Sequence, residues 1–117
     1  MIWIGNRKIK LLSLSNESID RLFLNLNDDG LLGLSRYCIH LQSLDISRCE
    51  NISNRSMIEI GRNCIHLQSL NIRGCYNITD TAIIEIGINC IQLQSLDISQ
   101  CYNITDASMI AISRRCS

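Results

Sequence analysis

The segment LQSLNIRGCYNITDTAIIEIGINCIQ, residues 67–92, returns almost unchanged along the chain. Before it, from Leu41, stands LQSLDISRCENISNRSMIEIGRNCIH, and after it, from Leu93, stands LQSLDISQCYNITDASMIAISRRCS. The copies start at positions 41, 67 and 93, which are 26 residues apart, and they align without a gap. A fixed period of this length predicts an array of similar structural units, each too small to bury its apolar face alone.

Within each copy the hydrophobic rhythm changes once. Leu70 and Ile72 alternate with polar residues, which is the period of a half-buried strand. Ile83, Ile86 and Cys90 follow at spacings of three and four, which place them on one face of a helix. The other copies carry apolar residues at the equivalent positions, namely Leu44, Ile46, Met57, Ile60, Cys64, Leu96, Ile98, Met109, Ile112 and Cys116. Each unit is therefore predicted to be a short strand, a turn and a helix of roughly ten residues.

Small residues recur inside the predicted helices at Gly61, Gly87 and Ser113. Glycine lowers helix propensity, so its return at the repeat period calls for an explanation. Two explanations stay open at this point. Either adjacent helices approach too closely for a larger side chain, or duplication copied a tolerated glycine.

Seven cysteines occupy repeat positions. Cys49, Cys75 and Cys101 end the strand segments, and the other four end the helices. The chain contains no C-x-x-C pair, and its odd number of cysteines follows no secretory signal, so neither a zinc site nor a disulfide framework is predicted. We expect buried, reduced thiols and a reducing compartment, the cytoplasm or the nucleus.

The composition excludes several function classes. Eleven basic and eleven acidic residues give a formal net charge of zero, so the sequence predicts neither nucleic-acid binding nor a membrane anchor. No nucleophile motif, H-E-x-x-H or glycine-rich phosphate loop is present, so we expect no enzyme activity and no cofactor. Cys64 and His66 are close in sequence, but the cysteine belongs to the predicted core face of the helix.

The pattern C-x-x-L-x-x-L-x-I-x-x-C-x-x-I-T-D resembles the cysteine-containing leucine-rich repeat of F-box and leucine-rich-repeat proteins and of the antagonist-of-mitotic-exit group. The resemblance runs from about residue 28 to residue 116, and the copy at Leu41 departs from it with Glu50 and with Ser53-Asn54. It implies an α/β leucine-rich-repeat solenoid, a right-handed β-α superhelix with parallel strands on the concave face and helices on the convex face. It also implies that the repeats hold protein partners, in many cases substrates of ubiquitin ligases.

The chain is predicted to form a single domain over residues 1–117. Residues 1–40 are a divergent N-terminal repeat and cap, followed by regular repeats at 41–66, 67–92 and 93–117. Ile9, Leu12 and Leu14 predict a divergent first strand. Residues 18–38 also faintly resemble the second half of an F-box. However, no leucine-proline opening precedes them, and Leu31 and Cys38 keep the register of the repeat, which favours a repeat.

A candidate binding surface follows from the predicted sheet, whose solvent-facing residues form columns across the repeats. It is interpreted either as a solvated sheet face or as a protein-docking surface with charge complementarity. Its candidate residues are Asp45, Arg48, Asn71, Arg73, Asp97 and Gln100. Tyr76 and Tyr102, one period apart, either pack on each other or anchor a partner, and packing is favoured. His40 and His66 are also one period apart, and a structural role is favoured over metal binding.

The leading functional hypothesis is a protein–protein interaction module. It is either the substrate-recognition part of an SCF-type ubiquitin ligase or a stand-alone scaffold, with protein partners of unknown identity. The alternative is a structural array, self-assembling or part of a longer repeat protein. Because no capping segment follows residue 117, the last repeat is expected to fray or to self-associate through its open C-terminal edge.

Overall fold

Strands and helices alternate in the computed structural model, which describes residues 11–13 and 27–113 of the 117. The predicted N-terminal cap, the residues between the first strand and residue 27, and Cys116 lie outside the described residues. In chain order the described elements are β1 Leu11–Ser13, α1 Asp28–Tyr37, β2 Ser43–Asp45, α2 Asn54–Asn63, β3 Ser69–Asn71, α3 Asp80–Asn89, β4 Ser95–Asp97 and α4 Asp106–Ser113. The strand, turn and ten-residue helix predicted for each repeat are confirmed in α2 and α3.

The four strands form one parallel sheet in the order β1-β2-β3-β4. Leu12 pairs with Leu44, Leu44 with Leu70, and Leu70 with Leu96, so the register advances by one repeat at each step. The predicted divergent first strand is confirmed as β1. Because every strand runs the same way, all helix-to-strand turns lie on one edge of the array, and all strand-to-helix loops lie on the other. This is the predicted β-α solenoid.

The core lies between the sheet and the helices and continues from one repeat to the next. In the repeats at Leu41 and Leu67 the strand and helix positions predicted to face inward are at most 1% exposed. These residues are Leu44, Ile46, Met57, Ile60, Leu70, Ile72, Ile83 and Ile86. Their equivalents in the last described repeat, such as Leu96 and Ile112, are only partly buried. Burial therefore falls towards α4, because no further described repeat packs there.

The cysteine thiols donate hydrogen bonds backwards along the array. At the helix ends, the Sγ of Cys64 lies 3.3 Å from the carbonyl oxygen of Cys38, and the Sγ of Cys90 lies 3.4 Å from that of Cys64. At the strand ends, Cys75 donates to the carbonyl of Ile46 at 3.1 Å, and Cys101 donates to that of Ile72 at 3.0 Å. The acceptors of Cys75 and Cys101 thus lie in the preceding repeat, whereas the Sγ of Cys49 lies 3.9 Å from the carbonyl oxygen of Ser47 in its own turn.

Burial sets the reactivity of these thiols. All six described cysteines are free and buried. Loss of hydration raises the pKa of Cys64 and of Cys75 to about 12 and that of Cys90 to about 11. The same cause raises the pKa of Cys38 and Cys101. Since the thiolate is the reactive species, these cysteines are inert near neutral pH while the chain is folded.

Close helix packing accounts for the recurring glycines. A Cβ atom added to Gly61 would lie 3.2 Å from Cγ1 of Ile86 and 3.3 Å from its Cα, in the neighbouring helix. A Cβ added to Gly87 would lie 2.9 Å from Cγ1 of Ile112. Gly33 in α1 is different, since a Cβ there would meet no heavy atom within 4 Å.

Replacement of Gly33 and Gly61 by alanine separates helix propensity from packing. Gly33→Ala should raise the free energy of unfolding by about 0.5–1 kcal/mol, since it adds propensity without a clash. Gly61→Ala gains the same propensity but forces α3 away from α2, so it should give no increase or a decrease. Urea unfolding followed by circular dichroism measures both. An equal stabilisation by the two substitutions would contradict the packing explanation.

Thiol labelling tests the buried cysteine positions. In native protein at pH 8 an aromatic disulfide reagent should react slowly with the cysteines, and in guanidinium chloride it should react with all seven within minutes. A Ser113→Cys variant, which places a thiol on the exposed end of α4, should show one rapidly labelled group and serves as the control. Rapid native labelling of most wild-type cysteines would show that the thiols are not in the core.

Candidate functional site

Two rows of polar side chains cross the sheet on its outer face, here called the strand face. In β2 and β3 the middle leucine is buried in the core, and its two neighbours are partly exposed on the other side of the sheet. Parallel register then aligns Ser43, Ser69 and Ser95 in one row. It aligns Asp45, Asn71 and Asp97 in the next. Neighbouring members of a row stand about 4.8 Å apart at the backbone.

The second row closes the turn that follows each strand. Oδ1 of Asp45 accepts a hydrogen bond from the backbone N–H of Ser47 at 3.0 Å, and Oδ1 of Asn71 accepts one from that of Arg73 at 3.0 Å. Oδ1 of Asp97 does the same with the N–H of Ser99 at 2.9 Å. Each side chain therefore has a structural task in addition to any role in binding.

Asp97 is held as a carboxylate. The hydroxyl and the backbone N–H of Ser99 donate to it, and these bonds lower its pKa below the ordinary range. Slight burial acts in the opposite direction, and the positive charge of Arg73 adds to the lowering. The strand face thus carries a carboxylate and a guanidinium that interact across neighbouring repeats.

Arg48 and Gln100 were predicted to belong to the sheet surface, but they lie in the turns that follow β2 and β4. With Gly74 they form one turn position whose φ angles are 61°, 60° and 72° respectively. This left-handed conformation costs an L-residue with a side chain about 1–2 kcal/mol, and glycine adopts it readily. The Cγ of Arg48 lies 3.2 Å from where a Cβ on Gly74 would stand, so the arginine side chain extends over the next turn.

Ser47, Arg73 and Ser99 are one repeat apart, two residues after each member of the second row, and they differ in exposure. Ser47 is 1% exposed, whereas Arg73 is half-buried and Ser99 is exposed. The Nε of Arg73 is buried and has no hydrogen-bond partner in the part of the chain that the structure describes. Because this atom is buried, a docked partner could approach only the remainder of the guanidinium group.

Stacked ring pairs mark the two edges of the array. Tyr76 and Tyr102 lie on the strand-to-helix edge with ring centroids 5.9 Å apart and planes 8° from parallel, which confirms the favoured packing interpretation. On the helix-to-strand edge, the rings of His40 and His66 lie 6.1 Å apart at 15°. Over residues 11–13 and 27–113, no group of three or more histidine, cysteine or acidic side chains is arranged to hold a metal ion.

Cross-repeat hydrogen bonds join the starts of neighbouring helices. Asp28 accepts from the backbone N–H and the hydroxyl of Ser53, at 2.9 and 2.5 Å, and from the hydroxyl of Ser56. Asp80 accepts in the same way from Thr105. The amide of Asn54 occupies the equivalent place and both accepts from and donates to Thr79.

These bonds lower the pKa of both aspartates. For Asp28, burial acts to raise the pKa, but the hydrogen bonds from Ser53 and Ser56 outweigh it. For Asp80, the hydrogen bonds from Thr105 dominate. Both carboxylates therefore stay charged into the acidic range and hold the next helix start in place.

Exposed isoleucines on the helix-to-strand edge were also missed. Ile39, Ile65 and Ile91 follow the helix-end cysteines one period apart and are 38%, 47% and 71% exposed. The signal was present in the sequence, since isoleucine returns at the repeat period at positions 39, 65 and 91. No helix in the described ranges is both long and apolar enough to cross a membrane.

Comparison with known proteins identifies the class. The Leucine Rich repeat family model matches residues 37–61, 63–87 and 89–113, which together make up more than half of the chain. The chain therefore belongs to the leucine-rich-repeat family, whose members are generally non-enzymatic protein-interaction modules. A search of the curated proteins gave no match.

Among the solved structures, a chain of the crystal structure of the Rad7 and Elc1 complex in yeast is similar in fold. The TM-score is 0.66 at 24% sequence identity, and the similarity covers 77% of the present chain. It covers 23% of the other chain, so the protein spans about a quarter of the length of that relative.

Acid titration tests the bonds at the helix starts. A lowered folded-state pKa contributes stability above the unfolded value, near pH 4, and this contribution is lost as pH falls through the folded value. The wild type should therefore lose stability between pH 6 and pH 3. Asp80→Asn, which places an amide where Asn54 already functions in the preceding repeat, should lose less over the same range.

The control for this titration is Asp106→Asn. Asp106 is exposed, and its carboxylate makes no hydrogen bond or ion pair with the described residues, so the substitution should leave the pH dependence unchanged. Urea midpoints at the two pH values measure all three proteins. An equal loss in the wild type and in Asp80→Asn would remove Asp80 from the explanation.

Proposed function

We propose that the chain docks a protein partner on its strand face through Asp45, Arg48, Asn71, Arg73, Asp97 and Gln100, with Tyr76 and Tyr102 as secondary contacts. The observation that carries the proposal is the aligned row of Asp45, Asn71 and Asp97 beside Arg73. In each aspartate one carboxylate oxygen holds the turn, and the second accepts no hydrogen bond within the described residues. These oxygens are available to a partner.

The mixture of positive and negative charges on the strand face determines which partner proteins it can select. Asp45 and Asp97 are negative, whereas Arg48 and Arg73 are positive, and serines and glutamines lie beside them. Alternating charges fix the orientation and register of a partner more than they raise affinity. The face therefore suits a folded protein surface or peptide with the complementary order of charges.

Two forms of this function are proposed. In the first, the chain recognises substrates for an SCF-type ubiquitin ligase, which the resemblance to F-box and leucine-rich-repeat proteins supports. The similar fold in the Rad7 and Elc1 complex, a complex of two proteins, is compatible with such an assembly. In the second form, the chain is a stand-alone scaffold. Both forms require one domain formed by residues 1–117 and located in the cytoplasm or nucleus. The free cysteines are consistent with either form.

A self-assembling array is the second candidate function. It is favoured by the partial exposure of Leu96, Ile98, Met109 and Ile112 on the last described repeat. Each of these residues forfeits part of the ~1.5–3 kcal/mol that full burial of a large apolar side chain contributes. Sedimentation at several concentrations distinguishes this function, since a monomer at every concentration excludes it.

Charge removal without loss of the turn tests the strand-face proposal. Asp45→Asn with Asp97→Asn keeps the acceptor of each turn, as Asn71 does naturally, but removes both negative charges. Proteins captured from cell extract by the wild type are identified, purified and titrated against both forms. We expect at least about a tenfold loss of affinity in the double variant, equivalent to about 1.4 kcal/mol.

The matched control is Glu59→Gln, which removes a charge from α2 on the helix side. It should leave the same affinity unchanged. Equal binding by the wild type and the aspartate double variant would exclude the strand face as the docking surface. Recovery of ubiquitin-ligase subunits with the wild type would favour the first form, substrate recognition for a ligase. If the proteins whose capture depends on the strand face include no ligase subunits, the scaffold form is favoured.

A further inference from the structure

Exposed apolar side chains concentrate on the helix-to-strand edge. Eight large hydrophobic residues are exposed in the part of the chain that the structure describes, and five of them lie within residues 36–40, 62–66 and 88–92. The five are Tyr37, Ile39, Ile65, Ile88 and Ile91. Single exposed apolar residues are ordinary on protein surfaces, whereas a contiguous group marks an interaction site.

The turn geometry places three of these residues in a row. In each repeat the N–H of the strand-entry leucine donates to the carbonyl of the helix-end cysteine, at 3.1 to 3.2 Å. The thiols of Cys64 and Cys90 tie each turn to the one before it. Ile39, Ile65 and Ile91 therefore occupy the same position of three adjacent, equivalent turns. We call them the isoleucine row.

The fold itself does not require these isoleucines. The core positions on either side of each one, a cysteine and a leucine two residues later, are already filled and nearly fully buried in the first two turns. Turn positions favour glycine, asparagine, aspartate and serine, so a β-branched apolar residue here has no local conformational advantage. The row is better explained by contact with another molecule.

A second row runs beside the first and supplies hydrogen-bond donors. The stacked rings of His40 and His66 immediately follow Ile39 and Ile65. Residues 36–40, 62–66 and 88–92 contain no aspartate or glutamate, and their basic residues are Arg36, His40, Arg62 and His66. Arg62 already pairs with Glu85 and Glu59 on the helices. Arg36 makes no ion pair with the described residues, so its charge is complemented by a carboxylate on a partner.

Spacing indicates the shape of the partner. Alternate side chains of an extended peptide point the same way and lie about 6.6 Å apart. The centroids of the His40 and His66 rings are 6.1 Å apart, which is close to that spacing. Successive same-side residues of an extended peptide that crosses the turns can therefore contact successive repeats. One set of its side chains meets the isoleucine row while the other set meets the histidine row.

We propose that the helix-to-strand edge binds an extended acidic segment of a partner protein, in which apolar side chains alternate with aspartate or glutamate. The apolar set covers Ile39, Ile65 and Ile91. The carboxylates accept hydrogen bonds from His40 and His66 and pair with Arg36. This surface is separate from the strand face, and the proposal does not depend on the function proposed for that face.

Synthetic peptides test the proposal on the full chain. The probe is a 12-residue peptide of alternating leucine and glutamate, and the comparison peptides alternate leucine with lysine and serine with glutamate. Amide chemical shifts of labelled protein report the site. The leucine–glutamate peptide should perturb residues 36–40, 62–66 and 90–92, and each comparison peptide should bind at least about tenfold more weakly.

Variants of the chain separate the two rows. Ile39→Ser, Ile65→Ser and Ile91→Ser combined should weaken the probe at least about tenfold, whereas Ile110→Ser, an equally exposed isoleucine on α4, should not. His40→Gln with His66→Gln, which copies Gln92 of the third turn, should weaken it less than the isoleucine variant. Asp45→Asn with Asp97→Asn should have no effect on it.

Three results would overturn the proposal. Equal binding of the leucine–lysine peptide would show a merely apolar surface without charge selection. Shift changes confined to the strand face would assign the peptide to the other surface. Concentration-dependent dimerisation of the wild type, abolished in the triple isoleucine variant, would show that the helix-to-strand edge binds a second copy of the chain instead.

Discussion

Polar groups at equivalent positions of neighbouring repeats hydrogen-bond to one another, and the stacking of the repeats depends on these bonds. Helix-end and strand-end thiols donate to carbonyls one repeat back, and the aspartates at the helix starts accept from the next cap. A buried donor or acceptor left without a partner costs about 1–3 kcal/mol, so a repeat is stable only when its neighbour is in register. The 26-residue period of the repeats at Leu41 and Leu67 suits these bonds, whereas Leu12 and Leu44 pair across a longer segment.

The same dependence explains why so much of the fold follows from the sequence. Leu70 and Ile72 predict a strand and Ile83, Ile86 and Cys90 a helix because their spacing reflects one continuous core. The divergent strand β1 could be found because Ile9, Leu12 and Leu14 keep the apolar spacing of the later repeats. These features depend on periodicity, which a sequence displays directly.

The candidate site was less predictable, since its residues depend on geometry that periodicity does not contain. Arg48 and Gln100 share a sequence position with Gly74, and only glycine indicates a left-handed turn. The expectation that Arg48 lies on a strand failed for this reason. Asp45 and Asp97 could be placed on the strand face from the sequence. Their hydrogen bonds to the following turn depend on side-chain rotamers, which the sequence pattern does not specify. The isoleucine row is periodic in the sequence, but periodicity alone does not show whether a turn residue is buried or exposed.

Zero net charge conceals a chain whose surfaces differ in chemistry. The strand-to-helix edge carries Asp28, Asp29, Glu50, Asp80 and Asp106 against Arg55, while the helix-to-strand edge is apolar with arginine and histidine. The strand face between them mixes both signs. Because duplication copies all three surfaces together, the strand face and the helix-to-strand edge lengthen with every added repeat. A partner can therefore gain affinity on such an array by contacting more repeats. On the helix-to-strand edge, the number of repeats that it can contact in this way is the number of turns that carry isoleucine and histidine.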